Sequence, residues 1–376
     1  MTILQKLSSL GQSIWYDNIS REVLRNGALQ HMVDEGLLGV TSNPTIFDKA
    51  ISGSDSYDDQ IRQLLQADPA LPAGEIILQL MSKDIQEAAD VLRQVYDRSE
   101  AKDGYVSIEV TPTKARDTAG TMAEAREVWK KINRPNLMVK IPATLEGLPA
   151  IAQMIREGIN INVTLIFSLE RYLQVAEAYC AGLEQRLAEG KPIERVASVA
   201  SVFVSRVDTM VDEVLRLRLT EVPPAETQAI RSLLGTAAVG NARMIYQAFR
   251  KVFRSTRFES LKSHGARVQR PLWASTGTKD PTFHDLKYVD TLIGPDTVNT
   301  VPPATYAAIL DHGATIPSVE EALEQTQNDL AAIGGLGISL AEVTSRLEAD
   351  GVASFEKSFD GIIRTVENKR RTAVRA

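Results

Sequence analysis

A lysine sits inside an apolar run where nothing obvious keeps it in water. Lys140 lies in NLMVKIPAT, from Asn136 to Thr144. Side chains alternate along a strand, so Leu137, Val139 and Ile141 share one face while Met138 and Lys140 share the other. Burial disfavours the ammonium form and leaves a neutral amine able to attack a carbonyl. Such a lysine can equally serve as the partner of a buried carboxylate. Two carboxylates stand in comparable runs: Asp17 ends SIWYD, and Glu109 lies in YVSIEVTP with Ser107 on its own face. Beside a lysine they supply acid–base groups for carbonyl chemistry. Asn43 in VTSNPTIF and the pair Asn162 and Thr164 in INVTLIFS add neutral donors and acceptors. Asn162 and Thr164 are two apart and project from one strand face. Each residue also has a plain alternative: Asn43 before Pro44 as a turn former, Asp17 or Glu109 as a helix cap or structural ion pair.

An anion site is legible as well. Ser201 and Arg206 fall in ASVFVSRVD, and STGTK runs from Ser275 to Lys279. A guanidinium offers a planar fork suited to phosphate, and hydroxyls add further donors. Arg206 could instead pair with Asp208 or Asp212 at a helix start. His264, His284 and His312, with the acidic residues, show no metal-ligand spacing, so no metal site is expected.

These residues need elements to bring them together. Eight short apolar runs recur: Ser13–Asn18, Gly36–Asn43, Tyr105–Thr111, Asn136–Pro142, Ile161–Ser168, Ser198–Arg206, Pro271–Gly277 and Thr297–Pro302. Several are apolar on nearly every residue, which suits parallel strands covered on both faces. Helical patterns separate them: Ala73–Arg98, Thr121–Ile132, Gly147–Glu157, Leu169–Glu189, Val207–Leu219 and Pro224–Phe253. Strands alternating with helices in this number predict an α/β fold, a (β/α)8 TIM barrel, with polar groups from five strands meeting on its top face. The chain, 1–376, reads as one barrel domain with two additions. One is a helical insertion after the second strand, about 47–102. The other is a C-terminal helical extension, about 317–376, with Phe355, Phe359, Ile362, Ile363 and Val366 at helical spacing. Its last residues, NKRRTAVRA, are expected to fray. GGLGIS, from Gly334 to Ser339, reads as a turn and not as a phosphate loop.

Composition narrows the function classes. With 44% hydrophobic and 24% charged residues the chain has ample core, and its net charge of −6 gives no general basic character for nucleic acid. An anionic substrate must therefore meet a few local cations. The lone Cys180 excludes an intramolecular disulfide framework, fits a reducing compartment and reads as a small packing residue. The N-terminus carries no signal-peptide pattern, and no run approaches the roughly 18 apolar residues of a membrane span, so the expected location is cytoplasmic. Whether the protein is a monomer or a homodimer is left open.

Taken in order, VTSNPTIF, VKIPAT, INVTLIFS and SVFVSR resemble the transaldolases, and WASTGTKDP and VNTVPPAT resemble the longer bacterial branch of that family. The resemblance covers about Gly11 to Gly313, with no isomerase domain expected after it. It implies a barrel circularly permuted relative to class I aldolases, with the Schiff-base lysine on the fourth strand. It implies that Lys140 is the nucleophile and Glu109 the acid–base group, acting through a water held by Thr164. Asp17 would take the proton of the C4 hydroxyl, Asn43 and Asn162 would hold the dihydroxyacetone unit, and Ser201 and Arg206 would grip the phosphate. Shorter members carry a second phosphate arginine after the seventh strand. Here that region reads ASTGTK, which makes Lys279 the candidate replacement. The implied reaction carries dihydroxyacetone from sedoheptulose 7-phosphate to glyceraldehyde 3-phosphate. It needs no cofactor, because the iminium is the electron sink. Two rivals are a fructose 6-phosphate aldolase-type lyase, whose small members lack an acid at the place of Glu109, and a non-catalytic sugar-phosphate-binding barrel.

Overall fold

The computed structural model describes residues 1–375. Eight parallel strands close into a barrel in sequence order: β1 (Gln12–Tyr16), β2 (Gly39–Thr41), β3 (Tyr105–Glu109), β4 (Leu137–Pro142), β5 (Ile161–Ile166), β6 (Ser198–Phe203), β7 (Arg270–Ala274) and β8 (Thr297–Val301). Closure is made by β1 against β8, paired from Gln12 with Thr297 to Tyr16 with Val301. Every strand residue is buried, as expected of strands packed against interior side chains on one face and helices on the other. The chain belongs to the TIM-barrel architecture, as the alternating pattern predicts.

Most strands end one to three residues before their apolar runs do. The residues left over are rim residues, where the backbone turns outward into a helix and exchanges ladder bonds for caps. Asn43 accepts from the Ile46 N–H at the start of helix Pro44–Ser52, with Pro44 at the first helical position. Ser168 does the same for helix Leu169–Ala188 through the Arg171 N–H. Gly39 opens β2 because a Cβ there would lie 2.5 Å from the Trp15 ring.

Helices Ala73–Arg98 and Gly147–Glu157 form where the periodicity places them. The expected helix Pro224–Phe253 is two helices, Pro224–Arg231 and Ala237–Phe253, broken near Gly235 at φ +73°. Buried carboxylates hold the break open: Asp212 accepts from the Gly235 N–H at 2.9 Å and Asp208 from the Ala238 N–H at 2.7 Å. A regular helix would leave those acceptors without partners.

Between β2 and β3 lie helices Pro44–Ser52, Asp58–Ala67 and Ala73–Arg98. After β8 the chain ends in Leu323–Gly335 and the long helix Leu340–Arg375, joined by a turn at Gly337. The final helix packs on all three helices of the β2–β3 connection and on helix Ser205–Leu219, so it crosses the top of the barrel. Fraying does not begin at Asn368: Lys369 bonds the Asp58 carboxylate at 2.6 Å and the Ser54 carbonyl at 3.1 Å, and helix continues to Arg375. Ala376 of that basic tail lies outside the described residues. Cys180 is buried in helix Leu169–Ala188, where burial pushes its thiol up to about 12. No single helix among the described residues is long and apolar enough to cross a membrane.

Candidate active site

In a closed parallel barrel every strand ends at the same rim, so residues far apart in sequence meet there. The rim holds a cavity of about 580 Å³ lined by Asp17, Asn43, Lys140, Thr164, Ser201, Arg206 and Lys279, among others. Seven of the nine residues singled out in the sequence thus share one cavity wall. Glu109 and Asn162 lie immediately behind it: strand pairing sets Glu109 beside Lys140 and Lys140 beside Asn162.

Lys140 is buried, and its amine donates to the Ser42 carbonyl at 3.0 Å while lying 3.5 Å from Glu109 Oε2. That separation attracts but is too long for a good hydrogen bond, so Glu109 Oε2 is left without a hydrogen-bond partner among the described residues. Removal from water raises the Glu109 carboxyl to about 7, Lys140 pulling it partly back and Asp17 adding to the rise. Asp17 follows β1 and is half-buried. Burial raises its carboxyl too, against the opposing pull of Lys140 and of a 2.7 Å bond from the Thr41 hydroxyl. Of the two carboxylates beside the lysine, Glu109 is thereby kept within reach of both protonation states near neutral pH, and Asp17 is moved in the same direction.

A polar chain braces the strands beside Lys140. Ser201 donates to Asn162 Oδ1 at 2.6 Å, and Asn162 donates to the Ser107 hydroxyl at 3.0 Å. In this arrangement the Ser201 proton is committed to Asn162, so Ser201 offers the cavity an acceptor. Thr164 has a buried hydroxyl with no hydrogen-bond partner among the described residues. The next residue, Leu165, has φ +59°, and β5 carries a register shift against β6 between Val163 and Ile166. Left-handed backbone at a leucine costs of order 1–3 kcal/mol and persists where surrounding packing enforces it.

Arg206 is the second residue of helix Ser205–Leu219, past the end of β6 and not in the strand. Its guanidinium lies 5.4 Å from the Phe203 ring centre, and burial lowers its pKa, with Asp350 countering. The pairing with Asp208 or Asp212 does not form. Asp208 accepts from the Tyr288 hydroxyl at 2.8 Å and pairs with Lys287 at 3.4 Å, while Asp212 caps Gly235. Lys279 is exposed at the cavity edge and makes no ion pair among the described residues.

Sequence reasoning missed other cavity residues. Thr45 and Lys49 share a face of helix Pro44–Ser52 at i, i+4 behind Asn43, a spacing that could have exposed them. Phe355, from the final helix, had no such signal. The reading of the histidines needs correction: His284, Asp285 and His312 come together at the surface, with donor atoms within 4.8 Å of one another. Spacing hid this because His284 and His312 sit on different segments. All three are exposed, and His312 is held between Asp285 at 3.1 Å and Asp311 at 3.0 Å.

Residues 14–366 match the family described as Transaldolase/Fructose-6-phosphate aldolase. Curated relatives extend over nearly the whole chain. A protein named Transaldolase from Saccharopolyspora erythraea is 47% identical over 368 residues, 97% of each chain. One of the same name from Thermobifida fusca is 48% identical over 362 residues, 96% of each chain. Transaldolase 2 of Nostoc punctiforme is 44% identical over 375 residues, 97% of each chain.

Proposed function

The chain belongs to the transaldolase family, and we infer from that membership and from the rim chemistry how its residues divide the reaction. It is a transferase that moves a dihydroxyacetone unit from sedoheptulose 7-phosphate to glyceraldehyde 3-phosphate, giving erythrose 4-phosphate and fructose 6-phosphate. The observation that carries the assignment of roles is the buried Lys140 amine, 3.5 Å from a carboxyl raised to about 7.

Lys140 attacks the ketose C2. Loss of the carbinolamine hydroxyl needs a proton, which Glu109 supplies through a water held by Thr164, and a carboxyl near 7 gives and takes protons at neutral pH. The iminium then draws the electrons of the C3–C4 bond as Asp17 takes the proton from the C4 hydroxyl. The three-carbon enamine stays on Lys140 until an acceptor aldehyde arrives and Asp17 returns the proton. Asn43 and Asn162 hold the hydroxyls of the bound unit; Ser201, expected to grip the phosphate with Arg206, instead donates to Asn162 Oδ1 and fixes that amide. Arg206 binds the phosphate, and Lys279 takes the part of the second cation from the cavity edge. Residues 1–376 work as one catalytic domain in this reading. A cytoplasmic setting fits the lone buried thiol.

Trapping tests the reading directly. Fructose 6-phosphate with sodium borohydride should leave one reduced dihydroxyacetone unit on Lys140 by peptide mass spectrometry. Lys140→Arg should carry no adduct and no transfer activity, because a guanidinium forms no imine. An adduct on another lysine, or an active arginine variant, would overturn the assignment. Release of free dihydroxyacetone without an acceptor would turn the reading from transfer to lysis.

A further inference from the structure

One wall of the cavity is built around a buried charge whose bonds all go to protein groups. Arg21 opens the short helix Arg21–Arg25, four residues after Asp17, and is 1% exposed. It lines the cavity together with Ser56 and Tyr57, and its guanidinium nitrogens bond to the β2–β3 connection. Nε donates to Asp84 Oδ1 at 3.0 Å, Nη1 to the Ser56 carbonyl at 3.0 Å, and Nη2 to the Gln60 side-chain oxygen. The guanidinium stacks 4.1 Å from the centre of the Tyr57 ring, and the Tyr57 hydroxyl donates to Asp84 Oδ2 at 2.8 Å. Asp84 is fully buried, with both oxygens used.

Three successive elements of the connection converge on this one side chain: the 3-10 turn Asp55–Tyr57, helix Asp58–Ala67 and helix Ala73–Arg98. An isolated buried ion pair is a poor source of stability, since desolvating both charges offsets their attraction, and apolar residues of similar volume do as well. Its advantage is geometric: three directed bonds and a stacked ring fix where the arginine backbone sits. The chain between Asp17 and Arg21 is then held at both ends. At one end the Asp17 N–H donates to the Val301 carbonyl at 2.8 Å and extends the β1–β8 ladder. At the other end stands the Arg21 clamp. Ile19, between them, is buried.

We propose that Arg21 is a positioning residue for Asp17, and that the helical connection between β2 and β3 serves the reaction by supplying the Asp84–Tyr57 anchor that holds it. The proposal rests on the reading that Asp17 handles the C4 hydroxyl proton. Displacement of a catalytic group by about 1 Å can cost 10²-fold in rate, so loosening the clamp slows C3–C4 cleavage while leaving imine formation and substrate affinity in place.

The test compares Arg21→Lys and Tyr57→Phe with Asp17→Ala. Each is incubated with fructose 6-phosphate and borohydride, and the ratio of hexose-phosphate to three-carbon adduct on Lys140 is measured, alongside kcat, KM and Tm. Arg21→Lys keeps the charge but cannot reach three acceptors. It should stall at the step where Asp17→Ala stalls, accumulating the hexose-phosphate adduct, with kcat down roughly 10–100-fold and KM little changed. Tyr57→Phe should shift the ratio the same way by less. A parental ratio and kcat in both folded variants overturns the proposal, as does a change confined to KM. Where Arg21→Lys fails to fold, Tyr57→Phe, which lacks one oxygen, decides alone by the same criteria. If Asp17→Ala itself accumulates the three-carbon adduct, the role of Asp17 is wrong. The positioning proposal then stands or falls on whether Arg21→Lys matches Asp17→Ala at whatever step that is.

Discussion

At the scale of single residues, Glu109 shows how environment and not identity sets chemistry. Its carboxyl is raised to about 7 mainly because burial removes water, with Lys140 close but not hydrogen-bonded to Oε2. The consequence for stability has a definite sign. A carboxyl whose folded pKa exceeds its ordinary value holds its proton in the folded state where the unfolded chain has released it. The contribution is therefore complete below about 4.5 and is lost as pH rises through about 7. Glu109→Gln keeps the shape and cannot ionise. It should be more thermally stable than the parent at pH 8, by a few kcal/mol at most, with the advantage vanishing near pH 4. Transfer activity should drop by about 10²–10⁴ across the same range. Calorimetry of both proteins from pH 4 to 8 checks the first expectation, and a stability gap that does not change with pH would refute it. The residue types of the rim were legible because polar groups in apolar runs stand out. That the Ser201 proton goes to Asn162 was not, because hydrogen-bond partners 39 residues apart in sequence carry no joint signal.

At the scale of elements, the junction of β5 with the final helix joins local strain to tertiary packing. Leu165, with its left-handed backbone, is buried, and its Cδ2 lies 2.9 Å from where a Cβ on Gly351 would stand. A glycine in a helix interior ordinarily costs about 1 kcal/mol relative to alanine. At position 351 the missing side chain is the space that Leu165 needs. Gly351→Ala should therefore destabilise by about 1–3 kcal/mol despite its better helix propensity, read as a lower Tm in a thermal scan. A raised Tm would show that Leu165 can step aside. Strand runs and the long helices were legible from periodicity. The bulge beside Thr164 was not, since INVTLI reads as an unbroken strand and a register shift is a relation between two strands.

At the scale of the whole molecule, the barrel separates its two ends. The top carries the candidate active site. The bottom carries a second buried polar cluster in which Asp103 accepts from Ser13 at 2.8 Å, Trp15 Nε1 at 3.1 Å and Arg270 at 2.9 Å, tying the starts of β1 and β7 to the turn before β3. Removing one partner of a buried pair leaves the other charge uncompensated. Arg270→Ala should therefore cost about 3–5 kcal/mol of stability, seen in the urea midpoint. Its kcat should stay near that of the parent at temperatures where it is folded, because the bottom face of a barrel contributes stability and not catalysis. A large loss of kcat with unchanged stability would contradict that separation.

The sequence alone determined the architecture and singled out the candidate reacting groups, because both are written in short-range pattern. Buried parallel strands must be apolar throughout, so a lysine, two carboxylates and two asparagines in or beside such runs mark themselves, and the motif order marks the family. Tertiary structure alone decided what those groups do to one another. It set Glu109 behind Lys140, left Arg206 without the pairing with Asp208 or Asp212 that its neighbours in sequence suggested, and broke the helix after Pro224 around two carboxylates. It also laid the final helix across the rim so that Phe355 reaches the cavity, and brought Asp84, 63 residues away, to Arg21. Side-chain electrostatics and cross-chain packing depend on distance in space, and in a closed barrel the first and last strands are neighbours.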